Sequence, residues 1–156
     1  NNYLNQDEIK KASLRLMLTK KEIIELSLLN LILNYPDFSE NIIEELSTVD
    51  FNFKENKDFL SELIFSLTNQ NIRSKDNLIK RLEINYDTLL KKINMYANNK
   101  SIINNLDQNS FNNFFEDYLA ELNLFKKNKE LSNLESELLK NPSQDMYDRY
   151  ISLKNS

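Results

Sequence analysis

The sequence predicts an all-α fold, in which a helical bundle is followed by a long helix that leads into a C-terminal helical hairpin. The 156 residues contain no Gly and only two Pro, so few of the tight turns that demand a positive φ are expected. Apolar residues recur at the i, i+3, i+4 spacing of amphipathic helices, and no segment alternates as a strand would. Apolar residues make up 40% of the chain, which is enough for a core.

The first elements are a weakly patterned helix and then a strongly apolar one. Asp7 to Leu18 predicts a helix with a loose apolar pattern. Thr19 and Glu22 have the spacing of a capping box, which starts a second helix. That helix is apolar nearly all round as far as Asn34, which is typical of the centre of a bundle. Pro36 ends it, because the residue before a proline avoids the α region.

Shorter elements follow in the middle of the chain. Ser39 is predicted to cap a short helix, and a loop with two aromatic residues spans Asp50 to Phe53. Phe59 begins an i, i+4 apolar repeat that predicts an amphipathic helix. Ser74 is expected to cap the next helix, and the apolar residues from Leu89 to Ala97 predict another.

The strongest helical pattern lies late in the chain. Apolar residues from Phe111 to Phe125 form one stripe, and no breaker precedes Pro142, so we expect one helix of about 30 residues. The stripe then shifts by one to two residues, which turns the apolar face by about 100–200° toward a different surface. Ser143 is expected to cap a final helix that pairs antiparallel with the long one. We assign residues 1–125 to the bundle and 126–156 to the hairpin.

The amino-acid composition excludes some classes of function and disfavours others. The absence of His and Cys excludes a catalytic triad and a Cys/His zinc site, and the absence of Gly excludes a glycine-rich phosphate loop. A net charge of −4 with dispersed Lys disfavours direct binding to nucleic acid. No apolar run approaches the roughly 20 residues that span a membrane. We therefore expect a cytoplasmic binding protein that is not itself an enzyme and carries no cofactor.

Three segments, in this order along the chain, resemble a known family. The first runs from Glu22 to Phe38 and ends in the corner Tyr35-Pro36-Asp37-Phe38. Phe51 and the helical stretch from Lys57 to Ile64 come next, and the long helix from Phe111 to Lys140 with a short link and a terminal helix comes last. Over roughly residues 19–156, this pattern is similar to the C-terminal helicase-binding domain of bacterial DNA primase of the DnaG type. Tyr35 departs from the Asn or His that the family places before this proline.

The resemblance implies a bundle followed by a helical hairpin, and it implies a function. In the family, this domain docks on the N-terminal collar of the hexameric replicative DNA helicase. It thereby recruits primase to the replication fork for RNA primer synthesis and stimulates the helicase. In some members the bundle also binds the acidic C-terminal tail of single-stranded DNA-binding protein through basic residues near the first core helix, where this chain has Lys20 and Lys21. The zinc and magnesium of the parent primase, a DNA-directed RNA polymerase, would belong to upstream domains.

The family's hairpin is the main docking element, so the candidate helicase contacts are the apolar residues on both sides of Pro142. Most of them are expected to hold the two helices together. The rest, namely Leu139 and Leu153 with Tyr147 or Tyr150, would reach the partner, because aromatic side chains are favoured anchors at interfaces. The full set comprises Leu131, Leu134, Leu138, Leu139, Met146, Tyr147, Tyr150, Ile151 and Leu153.

Three alternatives stay open. The fold of the N-terminal collar domain of the replicative helicase itself resembles the primase bundle, and such a chain would self-assemble into a ring. An unrelated helical adaptor would show the same periodicities. An enzyme using only carboxylates, Lys and Tyr would need acids in an apolar context, and none stands out. The acidic pairs Glu44-Glu45 and Asp145/Asp148 could hold Mg²⁺, but surface carboxylates at such spacing are too common to predict a metal site.

Overall fold

The computed structural model describes residues 18–156 together with Gln6, and every regular element within 18–156 is helical. The all-α prediction is therefore confirmed. The helix expected from Asp7 to Leu18 lies outside the described residues, apart from Leu18. The elements are α1 (Lys20–Asn34), α2 (Pro36–Ser39), a 3-10 turn (Glu40–Ile42), α3 (Ile43–Ser47), α4 (Lys54–Thr68), α5 (Lys75–Tyr96), α6 (Gln108–Lys140) and α7 (Gln144–Lys154).

The chain divides into two compact units, and the division falls inside α6. The first unit extends to Tyr118 and contains α1 to α5 with the start of α6. The second unit, Leu119–Ser156, contains the rest of α6 and α7. The boundary expected after residue 125 lies later in the same helix. A single helix of 33 residues thus contributes to both units, as the unbroken pattern before Pro142 predicts.

Helix α1 supplies the centre of the first unit. The Thr19 hydroxyl accepts a hydrogen bond from the backbone N–H of Glu22 at 3.1 Å, which is the Thr19 half of the predicted capping box, whereas the Glu22 carboxylate accepts from Lys92 Nζ at 2.6 Å. Ten of the fifteen residues of α1 are buried, including Leu26, Leu28 and Leu31 at 0% exposure. Full burial of one such side chain stabilises the fold by about 1.5–3 kcal/mol, which makes α1 the main contributor to this core.

The corner after α1 differs from the prediction at Ser39. Pro36 opens α2 directly after Tyr35, so Ser39 already has helical dihedral angles (φ −68°, ψ −20°) and ends this short helix. Its hydroxyl donates to the Tyr35 carbonyl at 2.8 Å. The expectation that Ser39 caps the next helix is therefore wrong, because a capping residue needs extended dihedral angles. The Tyr35 ring stacks on Phe38 with 5.5 Å between ring centroids, which fixes the corner.

Helix α5 joins two predicted helices through a kink. Ser74 caps it as expected, accepting from the N–H of Asn77 at 3.2 Å. The predicted break appears only at Tyr86, whose dihedral angles (φ −129°, ψ 27°) are not helical. The Tyr86 ring meets the Phe59 ring edge-on at 5.2 Å between centroids. The chain therefore bends at Tyr86 without an intervening loop.

Two asparagines take the place that glycine occupies in most chains. Asn71 (φ 52°) and Asn105 (φ 54°) lie in the left-handed region, in the loops before α5 and α6. Asn tolerates this region better than other residues with a Cβ atom, because its short polar side chain can bond locally to the backbone. A chain without Gly can therefore still make the few positive-φ turns that its loops require.

Candidate protein interface

The second unit is an antiparallel pair of helices. Ser143 caps α7 by accepting from the N–H of Met146 at 3.2 Å. The Tyr150 hydroxyl donates to the Glu135 carboxylate at 2.7 Å, and Lys127 Nζ donates to the Ser156 carbonyl at 2.6 Å. In each bond the two partners lie at similar sequence distances on either side of Pro142, which is the register of an antiparallel hairpin.

Six of the nine candidate contact residues are half-buried. On α6 they follow an i, i+3, i+7 spacing, and on α7 they follow i, i+4, i+7, so each set forms one stripe along its helix. Such a stripe is the seam along which two helices pack, in agreement with the expectation that most of the set holds the hairpin together. The half-buried residues are Leu131, Leu134, Leu138, Met146, Tyr150 and Leu153.

The other three candidates are exposed to solvent. Leu139 is 87% exposed, Tyr147 51% and Ile151 36%. Tyr147 and Ile151 are four residues apart and therefore lie on the same side of α7. Leu139 follows the half-buried Leu138, so it points about 100° away from the α6 seam. Leu139 and Tyr147 are thus available to a partner as expected, whereas Tyr150 and Leu153 are half-buried in the seam.

The opposite side of α7 borders a groove lined mostly by polar residue types together with two leucines. Two residues of α7 point away from Tyr147 and Ile151: Arg149 lies about 200° around the helix from both, and Ser152 lies about 140° from Tyr147 and about 100° from Ile151. They line the groove together with Asp148 on the same helix, and Glu130, Asn133 and Leu134 line it from α6. The hairpin therefore has one side with exposed apolar residues and another whose rim carries charges of both signs.

Tyr150 connects the seam to charged residues at the surface. Its hydroxyl donates to Glu135, and this hydrogen bond raises the pKa of Tyr150. The Lys154 ammonium lies 5.6 Å from the centroid of the Tyr150 ring, a cation–π distance. Lys154 also places a positive charge in the last turn of α7, which the helix dipole favours.

The two lysines proposed for the single-stranded DNA-binding protein tail lie in the first turn of α1. Lys20 is exposed and Lys21 is half-buried. The positive charge of Lys21 lowers the pKa of Glu25 and so opposes the larger effect of burial. Lys21 therefore has an acidic neighbour one helical turn away, and the role of both lysines in binding a tail stays a prediction.

The sequence did not predict the buried carboxylate of Glu25 in the first unit. Glu25 is 0% exposed, and burial raises its pKa. Its two carboxylate oxygens accept from the backbone N–H of Asn52 at 2.9 Å and from the Asn56 amide at 3.2 Å. One donor, Asn52, belongs to the loop before α4, and the other, Asn56, belongs to α4 itself. Glu25 therefore ties both the loop and α4 to α1. The only sequence sign of this anchor is a carboxylate inside an apolar helix.

Two further observations concern metal binding and membrane insertion. Among the described residues, no group of three or more His, Cys, Asp or Glu side chains is arranged to hold a metal ion. Within the same residues, no helix has both the length and the apolar content required to cross a membrane.

Comparisons of the chain with models of known protein families, with curated proteins and with solved structures find no match.

Proposed function

We propose that this chain is the helicase-binding domain of a bacterial DNA primase. In this proposal it binds the N-terminal domain of the replicative DNA helicase, recruits primase to the replication fork for RNA primer synthesis and stimulates the helicase. Two lines support the proposal: the resemblance of the segments from Glu22 to Phe38 and from Phe111 to Lys140, and the hairpin unit with its exposed apolar residues.

The observation that carries the proposal is the exposure of Leu139, Tyr147 and Ile151. The seam of the hairpin uses other residues, so these three contribute little to holding its helices together. Tyr147 and Ile151 lie side by side on one face of α7, and exposed apolar side chains grouped in this way mark partner sites, in which an aromatic residue is a favoured anchor. We therefore assign Tyr147 and Ile151 as the central contacts of α7 with the helicase, and Leu139 as the contact of α6.

The remaining parts of the proposal follow from the family. The chain acts by binding in the cytoplasm and performs no chemistry of its own. The zinc and magnesium of the parent enzyme belong to its upstream domains, and direct contact with nucleic acid is not assigned to this chain. Lys20 and Lys21 are the proposed contacts for the acidic tail of single-stranded DNA-binding protein.

Calorimetric titration of the full chain against the N-terminal domain of the cognate replicative helicase tests this function. Replacing Tyr147 and Ile151 together by Ser should weaken the affinity at least about thirtyfold, because truncating an interface anchor costs about 2 kcal/mol or more. The double variant Asn133→Ala/Arg149→Ala, which changes the groove side of the same hairpin, is the matched control and should bind like the wild type.

Equal affinity of the Tyr147/Ile151 variant and the wild type, with unchanged helical content, would show that this side of the hairpin is not the docking surface. Light scattering on the free chain addresses the main alternative. A stable self-assembled trimer or hexamer would favour the collar domain of the helicase, whereas a monomer fits the primase proposal.

A further inference from the structure

We propose that α7 unfolds locally in the free protein far more often than the bundle does, and that docking of the partner holds it folded. This inference rests on the proposed function for the identity of the partner, but the local unfolding itself concerns the free chain. It follows from the burial, the contacts and the length of α7 in comparison with those of α1.

The burial of the two helices differs sharply. Ten of the fifteen residues of α1 are buried, whereas none of the eleven residues of α7 is buried. Burial of apolar side chains is the main source of helix stability in proteins, because an isolated helix shorter than about 12–15 residues is marginal in water. Helix α7 therefore gains little from the packing that keeps α1 folded.

The polar contacts of α7 do not replace this missing burial. The bond from Tyr150 to Glu135 and the bond from Lys127 to Ser156 are both exposed, and each adds little stability because water competes with exposed polar contacts. No disulfide stabilises the described unit, Leu119–Ser156, because these residues include no Cys.

Docking would supply the missing burial. Tyr147 and Ile151 are the exposed apolar residues of α7, and they are the residues that we assign to the partner. A partner that binds only the folded form of α7 shifts the local equilibrium toward that form in proportion to its concentration and affinity. The same two side chains would then serve both as interface anchors and as the core that α7 lacks in the free chain.

Native-state hydrogen exchange on the full chain tests the first part. After correction for intrinsic exchange rates, the backbone amides of residues 148–153 should exchange at least about a hundredfold faster than those of residues 26–32. Similar protection of the two segments would overturn the proposal, because it would mean that α7 opens only when the whole protein unfolds.

A matched pair at Ser152, which is exposed, adds a control that does not touch the docking residues. Ser152→Ala and Ser152→Gly both remove the hydroxyl but differ in helix propensity by about 1 kcal/mol, so exchange in residues 148–153 should differ about fivefold between them. Exchange in residues 26–32 should be the same in both variants. An equal change in both segments would overturn local unfolding.

The second part needs the N-terminal domain of the replicative helicase, added at a concentration shown to be saturating by calorimetry. Residues 148–153 should then gain at least about tenfold protection. Binding without any gain in protection would overturn the coupling between docking and folding of α7. Absence of binding would instead overturn the proposed function, while the exchange of the free chain would still decide whether α7 unfolds locally.

Discussion

Removal of the Glu25 carboxylate should destabilise the first unit by breaking the anchor between α1 and the loop before α4. In Glu25→Ala, the Asn56 amide loses its acceptor at a site where Asn56 is only 1% exposed, and an unpaired buried donor costs about 1–3 kcal/mol. The N–H of Asn52 loses its acceptor too, but Asn52 is exposed and water can replace it. A loss of about 1–3 kcal/mol corresponds to a fall in melting temperature of roughly 2–4 °C for each kcal/mol.

The pH dependence of the same site has a definite sign. Burial raises the pKa of Glu25 above 4.5, so the folded protein binds this proton more tightly than the unfolded chain does. The stability due to this proton is therefore fully present below pH 4.5 and is lost as the pH rises through the folded pKa. Relative to Glu25→Gln, which cannot titrate, the wild type should gain free energy of unfolding as the pH falls from 7 toward 4.5. The gain amounts to about 1.4 kcal/mol for each pH unit by which the pKa is raised.

Urea denaturation followed by circular dichroism, at several pH values between 4.5 and 7, measures both effects. Glu116→Gln is the matched control, because Glu116 is exposed and its substitution should leave the free energy of unfolding unchanged within about 0.5 kcal/mol. Equal stability of Glu25→Ala and the wild type at pH 7 would contradict the anchoring role of Glu25. The raised pKa would be contradicted if the free energy of unfolding of the wild type relative to Glu25→Gln were independent of pH, or increased as the pH rises.

Two further predictions concern stability. Leu31→Ala should lower the free energy of unfolding by about 2–5 kcal/mol because Leu31 is 0% exposed, whereas Leu139→Ala should change it by less than about 0.5 kcal/mol because Leu139 is 87% exposed. Equal losses in urea denaturation would contradict the assignment of Leu31 to the core and of Leu139 to the surface. Asn71 has a φ of 52°, so Asn71→Ala should cost about 1–2 kcal/mol while Asn71→Gly should cost less. A melting temperature lower for the Gly variant than for the Ala variant would refute the left-handed conformation at this position.

The parts of the fold that depend on neighbouring residues could be predicted well. Thr19, Ser74 and Ser143 cap their helices as expected, because a capping bond links residues three positions apart and needs no other part of the chain. The prediction that Ser39 is a cap was wrong for a reason that is also local, because Pro36 starts a helical turn that already includes Ser39. The kink at Tyr86 was harder to foresee, because no proline or glycine marks it.

The candidate interface could be predicted only in part. The stripe pattern placed nine apolar residues on the hairpin but did not separate those that pack from those that remain exposed. Leu153 was expected to be available to a partner and is half-buried, whereas Leu139 is exposed as expected. Of the two alternatives Tyr147 and Tyr150, Tyr147 is exposed and Tyr150 is half-buried. The separation depends on how α7 is rotated about its own axis against α6, and a periodicity of 3.6 residues gives the stripe without giving that rotation.

The sequence by itself determined the all-helical class, the course of α1 and α6 and three of the helix caps, because periodicity and capping act over a few residues. The tertiary structure alone decided which groups meet across long separations in the chain. Glu25 finds its partners 27 and 31 residues away, and Tyr150 finds Glu135 across the hairpin turn. The tertiary structure also decided that Leu139, Tyr147 and Ile151 remain exposed, because the exposure of a side chain depends on how each helix packs against its neighbours.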